Sequence, residues 1–153
     1  GVELSEEAVI RCVERGVPVF HGDLDDGLRG FPDNSFDMVI LEETVQTLRH
    51  PATVLGEMLR VGRCCVVSFP NFAHWRVRMG LGSLGRMPVT ETLPHAWHDT
   101  PNIHLCSIRD FVDWAARAGI AVLDAYVLAD GEARALEEGD NLYAAEALFV
   151  VKR

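Results

Sequence analysis

The sequence has no uninterrupted apolar run longer than about four to six residues, far short of the ~20 that a membrane-crossing helix needs. Nor does a basic start lead into an apolar stretch and a small-residue cleavage site, so no secretion signal is read. Cysteine is scarce: Cys12, Cys64, Cys65 and Cys106 contain no C-x-x-C pair and offer no familiar zinc spacing. Cys64 and Cys65 are adjacent on an expected strand and point to opposite faces. All four read as reduced, largely buried thiols of a cytoplasmic protein. Positive charge is also short, with 14 Lys and Arg against 23 Asp and Glu and a net charge of −9. That balance argues against general nucleic-acid binding, which needs basic surface.

The shortage reverses locally. From Met58 to Thr90 there is no acidic residue, while Arg60, Arg63, Arg76, Arg78 and Arg86 all fall there. The contrast predicts one basic surface for an anionic ligand or an acidic partner.

What remains is a globular composition, 48% hydrophobic and 24% charged over 153 residues, which suits one domain spanning 1–153. There is no internal repeat and no low-complexity tract. The chain opens on Gly1 rather than Met, so an earlier segment is expected.

Strand and helix patterns alternate. Ser5-Glu6-Glu7 caps a helix with a Val9, Ile10, Val13 stripe, ended by Gly16. Residues 17–21 form a short apolar strand closed by Gly22-Asp23. A turn-rich stretch precedes the apolar run 36–41, whose lack of alternation predicts a central strand covered on both faces. Pro51 starts the next helix and Gly62 ends it. Residues 64–69 are a further buried strand, and Ser107-Ile108-Arg109-Asp110 is a capping box for a helix ended by Gly119. Two last strands, 121–128 and 145–151, flank an acidic connection with one helical turn. The expected fold is α/β: a mostly parallel sheet with helices on both faces and an antiparallel C-terminal hairpin at an edge.

One segment breaks the alternation. Residues 71–104 hold Gly- and Pro-punctuated clusters with two tryptophans and no clean strand. An insertion this long is usually functional. It follows the carboxyl end of a strand, where open α/β sheets place their ligands.

Three pieces then resemble the class I S-adenosylmethionine-dependent methyltransferases. They are the strand end Gly1-Val2-Glu3-Leu4, the loop Gly22-Asp23-Leu24, and the run Phe31-Pro32-Asp33-Asn34-Ser35-Phe36-Asp37-Met38-Val39 leading to Leu41. The resemblance implies a Rossmann-like sheet binding S-adenosylmethionine, with Glu3 and Leu4 at the ribose, Asp23 and Leu24 at the adenine, and Leu41 nearby. A carboxylate suits the ribose because it accepts from two adjacent hydroxyls. The insertion is more specific. Its stretches 68–78, 85–90 and 97–106 are similar to the MetW proteins of bacterial methionine biosynthesis, which are associated with the homoserine O-acyltransferase MetX. The similarity weakens after about Leu128. Both resemblances imply a first strand, a helix and a glycine-rich loop before Gly1, absent from these 153 residues. Without that strand, its neighbours keep unpaired edges that invite self-association.

Within the insertion, Asn71, His74, Trp75, Arg76, Arg78, Trp97, Asn102 and His104 are the expected substrate or partner contacts, with Trp75 and Trp97 as anchors. Phe72, Trp75 and Met79 are spaced to give one apolar helix face with Arg76 off it. The competing arrangement fills the domain's own core with the tryptophans and makes the insertion a lid over the cofactor. His95, His98, Asp99 and His104 make no familiar metal-ligand set, and Cys106 beside His104 reads as an inert thiol rather than a nucleophile. No dedicated base for methyl transfer is evident, and aligning donor with acceptor can suffice for that reaction. Three roles follow: a MetW-type partner of the acyltransferase, an active methyltransferase on a small molecule, or a cofactor-sensing regulatory subunit without catalysis.

Overall fold

The computed structural model describes residues 1–153. In chain order it runs β1 (Val2–Glu3), α1 (Glu6–Glu14), β2 (Phe20–His21), β3 (Val39–Leu41), α2 (Pro51–Val61) and β4 (Cys65–Pro70). Then come α3 (Trp75–Leu84), α4 (Ile108–Arg117), β5 (Ala121–Ala129), β6 (Glu132–Ala135), α5 (Asp140–Tyr143) and β7 (Glu146–Lys152). Short 3-10 turns cover Leu24–Asp26 and Val45–Thr47.

The local signals act as their chemistry dictates. Ser5 caps α1 by accepting the Ala8 N–H, and Pro51 occupies the first turn of α2. Ser107 and Asp110 form the reciprocal capping box of α4. Gly62 is required by close approach, since a Cβ there would lie 2.7 Å from Val39 Cγ2. That contact seats β3 beside the end of α2.

The sheet is mixed, with an antiparallel part larger than the patterning suggests. A five-stranded sheet has the order β3-β4-β7-β5-β6, and β1 and β2 form a separate parallel pair. β3 and β4 are parallel, whereas β7 runs antiparallel to both β4 and β5. The two last predicted strands do pair with each other, but β7 lies inside the sheet. The edge belongs to β6, which pairs antiparallel with β5. It was hidden in the acidic connection, whose Asp130-Gly131 turn has two positive φ angles, 51° and 81°. Asp-Gly is a favoured hairpin turn because both residues tolerate that region.

One face of this sheet holds the core. Cys65, Val67 and Phe69 on β4 stand beside Val151, Phe149 and Ala147 on β7, and all are buried. Phe111 of α4 reaches Phe149 with ring centroids 4.6 Å apart, and Phe69 stacks on Phe149 at 5.9 Å. α2 adds Val54, Leu55, Met58 and Val61 to the same cluster. Val66, Ser68, Leu148 and Val150 point to the other face and are half-buried, so the second helical layer expected there is incomplete. Burial pushes the Cys65 thiol up to about 11 and the Cys106 thiol up to about 12, leaving both protonated and inert at neutral pH. Cys12 and Cys64 are half-buried.

The start of the chain is the exception to this packing. No residue from 1 to 27 is buried, although Ile10, Val13, Val17 and Phe20 are apolar. Within residues 1–153, β3 lies at a sheet edge with Ile40 and Met38 exposed, where its run of apolar residues suggests a strand covered on both faces. Between it and β1 lies an apolar slot of about 430 Å³, lined by Val2, Phe20, Leu28, Met38, Ile40 and Met58 among others. Runs that read as buried thus face an open space in these residues.

Candidate functional site

The parallel strands set the site at their carboxyl ends, where the chain leaves the sheet. Glu3 ends β1, and Gly22 hydrogen-bonds back to the Glu3 carbonyl, so Asp23 emerges beside it. Leu24 and Leu41 line the slot just below. Leu4 is exposed, and its carbonyl lies 3.0 Å from His21 Nε2. Of the five residues expected at a cofactor, Leu24 and Leu41 line the slot, while Glu3, Leu4 and Asp23 follow the ends of the paired strands β1 and β2.

Their carboxylates are held rather than floating. Glu3 Oε1 accepts the Ser5 N–H at 2.7 Å, and its other oxygen has no protein partner. Asp23 Oδ1 accepts the Asp25 N–H at 2.9 Å, while Oδ2 accepts Arg49 Nη2 at 2.6 Å. Each Asp23 oxygen keeps a further lone pair for a ligand donor. Asp25 forms the anchor beneath, accepting the N–H groups of Arg49 and His50 and the Arg49 Nε. Those donors, the Arg49 N–H first among them, hold its carboxyl below the usual aspartate range. Asp25 and Arg49 were not singled out in the sequence. The available signal was an acid two residues after Asp23, opposite an arginine just before a helix-starting proline.

The resemblance seen in the sequence implies S-adenosylmethionine, and the residues present would suit its nucleoside half. Two carboxylates with open lone pairs suit ribose hydroxyls and an adenine amine, and Leu24 and Leu41 offer apolar walls. Gly22 is not a tight cradle for the methionine half, since a Cβ on it would make only ordinary contact with Val2, at 3.7 Å. Glu3 and Asp23 are the residues that would hold the nucleoside end, as acceptors for its hydroxyl and amine donors.

The insertion is tied down at both ends. Asn71 is buried, donates from Nδ2 to the carbonyls of Ala144 at 2.8 Å and Asn141 at 3.2 Å, and accepts the Ala73 N–H. It is a brace, out of reach of any partner, which corrects its expected role as a contact. At the other end the Gln46 carbonyl accepts the N–H groups of Ile103 and His104, and Phe72 donates to the Cys106 carbonyl. Gln46 itself is buried, with an unpartnered Oε1. His104 faces a separate groove between α2 and α4, lined also by Leu55, Phe111, Trp114 and Arg117. The Asn102 N–H is taken by Thr100 Oγ1.

Between these anchors Val77 and Leu93 are buried, and both tryptophans point outward. Trp97 is 75% exposed and Trp75 42% exposed, which overturns the arrangement that buries both in the core. On α3 the inward residue is Val77, so the Trp75–Met79 face is the exposed one. Arg76 lies over the Trp75 ring at 5.3 Å. Arg78 is consumed internally, donating to the Ala73 and Asn141 carbonyls. His74 precedes α3 with its ring 5.7 Å from that of Trp75, and burial followed by the Arg76 charge lowers its pKa. Of the expected partner residues, His74, Trp75 and Arg76 lie together, Asn71 and Arg78 are bonded within the chain, and His104 lines the other groove.

A further carboxyl stands out at the same edge of the sheet. Glu146 begins β7 opposite Pro70, and burial, then the charges of Glu43 and Glu91, raise its pKa.

Comparison with known proteins places this geometry. Solved structures with the same fold include a methyltransferase from Thermotoga maritima described as S-adenosylmethionine-dependent, with a TM-score of 0.72 at 18% identity. That match covers 99% of this chain and 71% of the other. Another, from Mesorhizobium loti, gives 0.68 at 14% identity and covers 100% and 79%. Both fix the class I methyltransferase fold. In sequence, the chain is 37% identical over 142 residues to the "Bifunctional methionine biosynthesis protein MetXA/MetW" of Rhodopirellula baltica. The match covers 92% of this chain, which spans 23% of that longer protein. The model of the family described as methionine biosynthesis protein MetW matches residues 1–151, and the chain belongs to the MetW family.

Proposed function

We propose that this protein acts with a homoserine O-acyltransferase of the MetX type in converting homoserine to methionine. The observation that carries this reading is the relative in which MetXA and MetW share one polypeptide. Joining two domains in one chain fixes their ratio and raises their effective concentration, which is useful when they work in contact. The insertion, anchored through Asn71 and Gln46 and exposed between, is the part of the molecule available to such a partner. Cells lacking this protein are expected to need added methionine, and restoring its gene to remove that need. Growth without methionine in the deletion strain contradicts the reading.

A second reading, S-adenosylmethionine binding with or without methyl transfer, is favoured by the open lone pairs of Glu3 and Asp23 after the ends of the paired strands β1 and β2. In the chain together with any segment preceding Gly1, Glu3→Ala is expected to weaken S-adenosylmethionine binding by about 1.5–3 kcal/mol, the range for charge-assisted hydrogen bonds. Calorimetry showing equal affinity removes Glu3 as a ribose contact. Binding without methyl transfer to any acceptor favours the sensing role over the enzyme.

A further inference from the structure

We infer that the outward face of α3, built from Trp75, Arg76 and Met79, is the surface that docks an acidic patch of the acyltransferase. This rests on the partnership proposed above and adds where it occurs. At about 100° per residue, Trp75, Arg76, Met79 and Ser83 fall within one arc of about 100° pointing away from the buried Val77. Trp75 and Met79 are four residues apart and therefore adjacent on the helix surface.

The face is prepared for a charged partner. Arg76 makes no ion pair and no hydrogen bond within the chain, unlike Arg60, Arg63 and Arg78 of the same acid-free stretch. Its position over the Trp75 ring restrains a long side chain by cation–π attraction, which reduces the entropy lost on docking. Tryptophan and arginine are also the side chains most often found carrying interface energy. Because no acid lies between Met58 and Thr90, nothing nearby on that stretch competes for the guanidinium. The rest of the molecule carries the acidic excess that makes up the net charge of −9, which disfavours nucleic acid as the occupant. An acidic protein surface matches an unpaired arginine held over an exposed tryptophan. The acyltransferase is the protein of this pathway already found covalently joined to a relative.

The test measures the affinity of the chain for the homoserine O-acyltransferase of the same organism, by calorimetry. Arg76→Glu and Trp75→Ala are compared with Arg117→Glu, which sits in the separate α2–α4 groove. Both α3 variants should bind at least about tenfold more weakly, as for hot-spot and charge-pair losses, while the groove variant matches the parent. Arg76→Glu should also flatten the loss of affinity as salt is raised. Trp75 and Arg76 lie on the surface, so melting temperatures near that of the parent confirm folded variants. If the parent binds and the α3 variants bind as tightly, the surface is wrong and the partnership stands. If the parent does not bind, the partnership fails and the surface with it. Should these variants instead disrupt a dimer of this chain, the face belongs to self-association.

Discussion

Asn71 shows how far one residue can be read. A polar residue just after a buried strand, at the start of an insertion, has the same sequence signature whether it greets a ligand or braces the backbone. What decides is a set of carbonyls about seventy residues away, near α5, that no local pattern reveals. Replacing it with Asp removes the donors and brings a buried charge. Asn71→Asp should therefore destabilise the fold by several kcal/mol, and Asn71→Ala by about 1–3 kcal/mol through orphaned carbonyls. Denaturant unfolding checks both, and unchanged midpoints remove the brace. Glu146 makes the opposite case, since its raised pKa means the folded state disfavours its charge. At neutral pH that penalty is fully present, and it fades as pH falls towards the unfolded value of about 4.3. Glu146→Gln should raise the melting temperature at pH 7, with the gain vanishing below about pH 4. Asp25 has the reverse sign: its lowered pKa supplies stability above about pH 3.9 that is lost on further acidification.

Elements with strong caps and clear periodicity were legible. α1, α2 and α4 start and stop at the serine, proline and glycine signals that chemistry assigns them. The strands that leave the α/β pattern were less so. β6 hid in an acidic stretch because its residues, Glu132 to Ala135, have little strand propensity and are held by pairing with β5. The orientation of α3 could not be read either, since Trp75 and Met79 satisfy helical spacing equally well on an inward or an outward face. The structure settles this through Val77. A stability comparison follows. Trp97→Ala should shift stability by less than about 0.5 kcal/mol, whereas Phe149→Ala, wholly buried against Phe69 and Phe111, should cost about 3–5 kcal/mol. Comparable losses in the two variants would put Trp97 back in the core.

At the scale of the molecule, a packed half and an open half meet at the slot between β1 and β3. The core under α2 and α4 accounts for the stable part, while β1, α1 and β2 bury nothing fully. The family-like order of Glu3, Asp23 and Leu41 is legible along the sequence; in the fold Glu3 and Asp23 follow neighbouring strand ends and Leu41 lines the slot. Its dimensions were beyond sequence, because an apolar strand reads as buried whether or not a neighbour covers it. The free edges and exposed Ile40 should make the isolated 153-residue chain associate as its concentration rises, and Ile40→Lys should suppress this. A light-scattering mass that stays monomeric at all concentrations contradicts that expectation.

The partnership with the acyltransferase is the claim on which the functional account depends. It is tested most directly by titrating the purified homoserine O-acyltransferase with this protein in a calorimeter at low salt. The account predicts saturable binding at one chain per acyltransferase subunit, the ratio built into the fused relative. A titration that shows no binding at any attainable concentration contradicts it.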